Sequence, residues 1–249
     1  LISELKKKGT IVHALLGDKD FTLPERRPFV RSTLENILNY NASSKKQERF
    51  DGVHFDVEPY LLRGFNGPKS DQILSRFINL LGDAASIVKR GNLLMGADIP
   101  FWFDTPDEFF REQRLVEFRG VTKPVHEHVI DLMDIVVLMS YRTFAAGADG
   151  IVLHSSVELD YASKVGKRVF VGLETSPLPD ENILTFRGAP SAGSAQTKPT
   201  HYLALVSSGD SAEVFILKHQ QRTLLESSST QSRDNEPQVL TWPIHQNLN

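Results

Sequence analysis

Between positions 50 and 60 the chain reads Phe-Asp-Gly-Val-His-Phe-Asp-Val-Glu-Pro-Tyr, and apolar and titratable residues alternate through it. Val53, Phe55 and Val57 fall on one parity; His54, Asp56 and Glu58 fall on the other. Side chains on a strand point alternately to its two faces. The pattern therefore predicts a strand with one core face and one face carrying an imidazole and two carboxylates. Pro59 offers no N–H to a ladder, so the strand is expected to stop there and leave Glu58 at its carboxyl end. The plain alternative is an edge strand with a solvent face, although such faces favour Lys, Thr and Arg over His-x-Asp-x-Glu.

Elsewhere in the first two-thirds of the chain, two periods alternate. Short apolar runs at 10–16, 93–99, 135–141 and 168–174 read as strands. Helical spacing marks 28–40, 71–89, 125–132 and 151–165, with Gly166 closing the last and Gly9 closing a short helix at 1–8. The clearest stripe is Ile73, Leu74, Phe77, Ile78, Leu80, Leu81 and Ala85, with Asp71 as its expected cap. Near-continuously apolar strands between amphipathic helices imply a parallel sheet covered by helices. The 249 residues suit one α/β barrel or two small domains, the former routinely running to about this length. The expected fold class is thus α/β, a (β/α)8 TIM-type barrel, irregular or incomplete at the N-terminus and in the C-terminal quarter. It is expected to form a single catalytic-type domain over 1–249.

The last quarter changes character. Residues 187–200 are rich in Gly, Ala, Ser and Pro and read as a loop. Runs at 201–207 and 213–218 read as strands of a hairpin about Ser208-Gly209-Asp210, and 225–238 as a polar, mobile stretch. The whole of 187–249 is expected to be divergent and partly mobile.

Composition narrows the partners. A formal net charge of −3 gives no electrostatic case for nucleic acid or an anionic membrane. No apolar run approaches the ~20 residues that span a bilayer. With no cysteine, disulfides and thiolate metal sites are excluded. No P-loop, Gly-x-Gly-x-x-Gly or Gly-x-Ser-x-Gly motif occurs, and no cofactor is expected. The first residue is Leu1, which leaves room for a leader or an earlier segment, and Asn41-Ala42-Ser43 is a glycosylation sequon.

Other strand ends carry polar or aromatic groups. Asp98 lies on the strand before Phe101-Trp102-Phe103, and rings at a strand mouth either stack on the apolar face of a sugar or plug the core. Trp102 is the better sugar contact, because its N–H also donates. Tyr141 and Arg142 end the next strand, Arg142 being available to a carboxylate such as Asp56 or Glu174. Glu174 ends the strand after that. His13 and His201 are lone histidines and read as structural. A metal held by His54, Asp56 and Glu58 is the least favoured option, since successive same-face residues of one strand rarely converge on one ion.

The block at Asp51, Asp56 and Glu58 resembles Asp-x-x-Asp-x-Asp-x-Glu, the signature on the fourth barrel strand of family 18 glycoside hydrolases, the chitinases and their relatives. Gly52 matches as well, while His54 stands in place of the second Asp. Met139 and Tyr141 resemble that family's Met-x-Tyr-Asp, with Arg142 replacing the Asp. Together with Gly96–Asp104 and Gly172–Thr175, the resemblance covers about 10 to 186 and points to an uncharacterised branch rather than true chitinases. It implies a retaining, substrate-assisted glycoside hydrolase acting on an amino-sugar-containing or related polysaccharide. Glu58 would then be the general acid/base and Asp56 its electrostatic partner. His54, Asp98, Trp102, Tyr141, Arg142 and Glu174 would bind substrate. The rivals are a catalytically silent carbohydrate-binding barrel, disfavoured because Glu58 is retained, and a metal-dependent hydrolase. A secreted or extracytoplasmic location is expected over a cytoplasmic one.

Overall fold

The computed structural model describes residues 1–105, 114–175 and 186, together with the backbone of three strands in 201–243. The chain divides into two compact units, Leu1–Val136 and Val137–Asn249.

The first unit runs α1 (Ile2–Lys6), β1 (His13–Leu16), α2 (Arg27–Ser43), β2 (Gly52–Phe55), α3 (Ser70–Val88), β3 (Leu94–Pro100), β4 (Leu115–Phe118), β5 (Val121–Pro124), α4 (Val125–Leu132) and the start of β6 (Ile135–Met139). β1, β2 and β3 pair in parallel, with Gly52 opposite both His13 and Leu94. Val53, Phe55 and Val57 are buried, whereas His54, Asp56 and Glu58 are half-buried, so the alternation in the sequence survives as a core face and a polar face. Two acidic side chains tie down the strand starts. Asp51 accepts from the Val12 N–H at 2.9 Å and from Lys6 Nζ at 2.7 Å. Asp134 accepts from the Met95 N–H at 2.8 Å.

Helix α3 buries the predicted apolar stripe, including Ile73, Leu74, Phe77, Ile78 and Leu81. It packs on α2, on α4 and on the β4–β5 hairpin. Gly82 admits the hairpin: a Cβ there would lie 2.4 Å from the Phe118 ring. His128 Nε2 donates to the Val116 carbonyl of the hairpin at 2.8 Å.

Several boundaries differ from the sequence reading. The β2 ladder stops at Phe55, well before Pro59. Its partner β1 ends at Leu16, whose carbonyl takes one last bond from the Asp56 N–H. Asp71 does not cap α3, which starts at Ser70 after Lys69; it lies in the first turn, where it complements the helix dipole. The β4–β5 hairpin had no counterpart in the reading. Its turn uses Arg119 at φ 52° and Gly120 at φ 80°, without the Asn-Gly or Asp-Gly pair that marks such turns. The sequon Asn41 sits in α2, where its amide both donates to and accepts from the Phe50 backbone.

In the second unit the rest of β6 is followed by α5 (Ile151–Val165), β7 (Arg168–Gly172), β8 (His201–Ser208), β9 (Ser211–Lys218) and β10 (Val239–Pro243). α5 ends at Gly166 in the left-handed region, at φ 68°. β7 to β10 pair antiparallel in succession. Among the described residues the strand–helix alternation runs as far as β7, and β8 to β10 follow as antiparallel strands. Only positions 209 and 210 separate β8 from β9, and a parallel crossover needs about a dozen residues. The expected loop at 187–200 and mobile stretch at 225–238 lie outside the described residues. Among the described residues no helix is long and apolar enough to cross a membrane.

One buried group makes the first unit sensitive to acid. His126 in α4 is 1% exposed, and burial pushes its imidazole down to about 4 despite the opposing effect of the Phe103 backbone. A depressed histidine contributes stability that is complete above its ordinary value of 6.5 and lost as pH falls toward about 4. Thermal melts between those limits should show the wild type losing stability faster than His126→Gln. Parallel curves for the two proteins would contradict the assignment.

Candidate active site

The site is built on the polar face of β2 and on the segment that follows it. His54 faces Gly96 across the β2–β3 ladder. A Cβ on Gly96 would lie 2.3 Å from His54 Nδ1, so only glycine lets the imidazole lie across β3. From there His54 Nε2 reaches Asp98 Oδ2 at 3.2 Å. The His13 ring stands 6.0 Å away on the other side. Burial, followed by the repulsion of His54, lowers the proton affinity of His13, while Asp51 and Asp134 oppose this.

Asp56 is the electrostatic centre of the cluster. Burial pushes its carboxyl above the ordinary range, Asp98 and then Glu58 push it further, and His54 opposes them. Its Oδ1 is buried without a hydrogen-bond partner among the described residues. Leaving a buried oxygen unpaired costs about 1–3 kcal/mol. A carboxylate held in that state is placed to receive a donor or a positive charge from outside the chain.

Glu58 lies where the backbone leaves the strand for a short turn over Pro59–Leu61. The Tyr60 hydroxyl donates to its Oε2. The Tyr60 ring meets the Trp102 ring edge-on at 5.1 Å between centroids. Trp102 belongs to the turn Phe101–Phe103 that follows β3. In that turn Phe101 and Phe103 are buried as core, whereas Trp102 is half-buried. His126 in α4 is buried close enough to the Phe103 backbone for that backbone to raise its proton affinity against the effect of burial. The Arg114 guanidinium covers Phe65 at 4.6 Å and Trp102 at 5.2 Å, within cation–π range.

Of the residues singled out in the sequence, His54, Asp56, Glu58, Asp98 and Trp102 lie together in the first unit. Tyr141, Arg142 and Glu174 belong to the second. There the Tyr141 carbonyl accepts from Arg142 Nη1 at 3.1 Å. Arg142 Nε pairs with Asp149 Oδ1 at 2.7 Å, a carboxylate also 2.7 Å from His154 Nε2. Asp149, which the sequence reading did not name, just precedes α5 and is thereby brought back beside the end of β6. The Glu174 carbonyl accepts from the Phe186 N–H at 2.7 Å. Asp51, although part of the motif, sits at the amino end of β2 as a clamp. Tyr60 and Arg114 were not read as site residues. Tyr60 had a signal, since it shares the parity of His54, Asp56 and Glu58; Arg114 had none. Among the described residues no three His, Asp or Glu side chains are grouped to hold a metal ion.

No protein-family model and no curated protein matches the chain. The solved structures it resembles include chitinases and a spore cortex-lytic enzyme. The cortex-lytic enzyme SleL of Bacillus megaterium matches at 16% identity and TM-score 0.44, over 70% of this chain and 38% of that one. Catalytic domain 2 of the Ostrinia furnacalis group II chitinase matches at 16% identity and TM-score 0.42, over 70% and 47%. The chitinase of Chromobacterium violaceum matches at 14% identity and TM-score 0.43, over 70% and 52%. The chain thus spans between 38% and 52% of the length of these three. At these scores the functional assignment rests on the residues of the chain itself.

The raised proton affinity of Asp56 has a consequence for stability. A carboxyl raised in the folded state contributes stability that is complete below its ordinary value of 3.8 and lost as pH rises through the raised value. At neutral pH the ionised side chain therefore burdens the fold. Asp56→Asn should melt higher than the wild type at neutral pH, with the gain vanishing below pH 3.8. A gain that persists in acid, or a loss at neutral pH, would contradict this.

Proposed function

We propose that the chain is a glycoside hydrolase acting on an amino-sugar-containing or related polysaccharide, with Glu58 as proton donor and Asp56 as its electrostatic partner. The observation that supports this reading most directly is the orphaned, buried Oδ1 of Asp56 beside Glu58, at the carboxyl end of a parallel strand. Barrel enzymes place their chemistry at that end of their strands. In this reading the parallel strands belong to a (β/α) barrel of the family 18 type, and residues 1–249 form one domain.

The chemistry follows from the two carboxyls. Protonated Glu58 gives its proton to the glycosidic oxygen as the bond to the anomeric carbon breaks. The substrate's own 2-acetamido carbonyl oxygen closes on that carbon, and the acetamido nitrogen becomes cationic. Its N–H then meets Asp56 Oδ1, which pairs the orphaned oxygen and offsets the charge. Water opens the ring while Glu58 takes back a proton, so the configuration is retained. The His54–Asp98 pair lies beside Asp56 and holds its surroundings polar. Trp102 stacks on a sugar face. No metal is required by this scheme.

The test is a screen on a glycan panel, run in parallel with Glu58→Gln. The variant is nearly isosteric but cannot give up a proton, so turnover should fall on the order of 10²-fold or more while binding survives. Full turnover by Glu58→Gln would sink the assignment. Wild-type binding without hydrolysis would favour the silent carbohydrate-binding protein, and loss of activity in chelator would favour the metal-dependent one.

A further inference from the structure

We propose that Tyr60 is a positioning residue for Glu58, its hydroxyl holding Oε2 so that the transferable proton is carried on Oε1; this rests on the reading of Glu58 as the proton donor. Three features of the first unit carry the inference. The Tyr60 O–H donates to one named oxygen of Glu58, across only two residues. The phenol is fixed by its ring, which lies 5.1 Å from Trp102 and 6.3 Å from Phe65, edge-on to both. Those two rings are 6.2 Å apart and are both covered by the Arg114 guanidinium. Glu58 itself has non-repetitive backbone angles, φ −101° and ψ 79°, so no ladder holds its side chain in place. The braced phenol supplies that constraint.

The consequence is a division of labour between two oxygens. A carboxyl carrying its proton on Oε1 can still accept the tyrosine hydrogen bond at Oε2. When the proton leaves Oε1 for the glycosidic oxygen, the negative charge that remains is stabilised by the same O–H, which strengthens as its acceptor becomes ionised. Tyr60 keeps its own proton throughout. Around Glu58 in this unit stand Asp56 and His54 on its own segment, Asp98 on β3, and Arg114 beyond Trp102.

The variant that isolates the hydroxyl is Tyr60→Phe, because the ring and its contacts remain; Tyr60→Leu removes both and reports on packing. Two measurements decide the question. The first follows the Glu58 carboxyl carbon by NMR in 13C-labelled protein, assigned through Glu58→Gln. A hydrogen bond to the ionised form favours it, so its loss in Tyr60→Phe should raise the Glu58 proton affinity by about threefold or more. The second compares kcat on an unactivated oligosaccharide with kcat on an aryl glycoside whose leaving group needs little protonation. Tyr60→Phe should lower the first by about tenfold and the second far less, with KM little changed. An unmoved Glu58 titration, or equal losses on both substrates, overturns the proposal. Should the wild type cleave no glycan, the glycosidase reading falls, while the titration still decides what Tyr60 does.

Discussion

The parallel pairing that sets Gly52 opposite both His13 and Leu94 governs the direction of the side chains from 53 to 55 and, through the last bond from the Asp56 N–H to Leu16, that of Asp56. A slip of one residue would turn Val53, Phe55 and Val57 outward and bury His54, Asp56 and Glu58 in their place. The cost of burying two carboxyls and an imidazole without partners makes that alternative inaccessible. Asp51 and Asp134 reinforce the register by accepting backbone N–H groups at the amino ends of β1 and β3. The core and the candidate site are thus specified by the same strand, and a substitution that loosens one disturbs the other.

A second constraint works from the aromatic side. The Phe101–Phe103 turn sinks two phenylalanines into the core and leaves Trp102 half-buried against Tyr60. Arg114 covers the Trp102 ring of that turn. Asp56, by contrast, has an oxygen with no hydrogen-bond partner among the described residues.

Much of this was legible in the residues. The alternation at 53–58 and the stripe of α3 are periodic signals that tertiary packing did not overrule. The ends of α4 and α5 fell where Pro124, Gly150 and Gly166 bracket them. The β4–β5 hairpin was hidden because its Arg119–Gly120 turn carries only a weak mark. The β8–β9 hairpin was expected from the runs about Ser208-Gly209-Asp210, whereas its antiparallel pairing with β7 and β10 carried no mark. At the site, ion partners defeated the reading most. Arg142 meets Asp149, which lies near in sequence yet is placed by the start of α5, while the aromatic neighbours of Tyr60 come from two other segments.

The most direct examination of the central claim, that Glu58 delivers a proton to a glycosidic bond, is a crystal structure of Glu58→Gln with a bound chitooligosaccharide. The account predicts a glycosidic oxygen about 3 Å from the side-chain amide at position 58. An acetamido N–H of the adjoining sugar should lie within hydrogen-bond reach of Asp56 Oδ1. An oligosaccharide seated away from both groups, or lying along them with its acetamido group turned from Asp56, would contradict it.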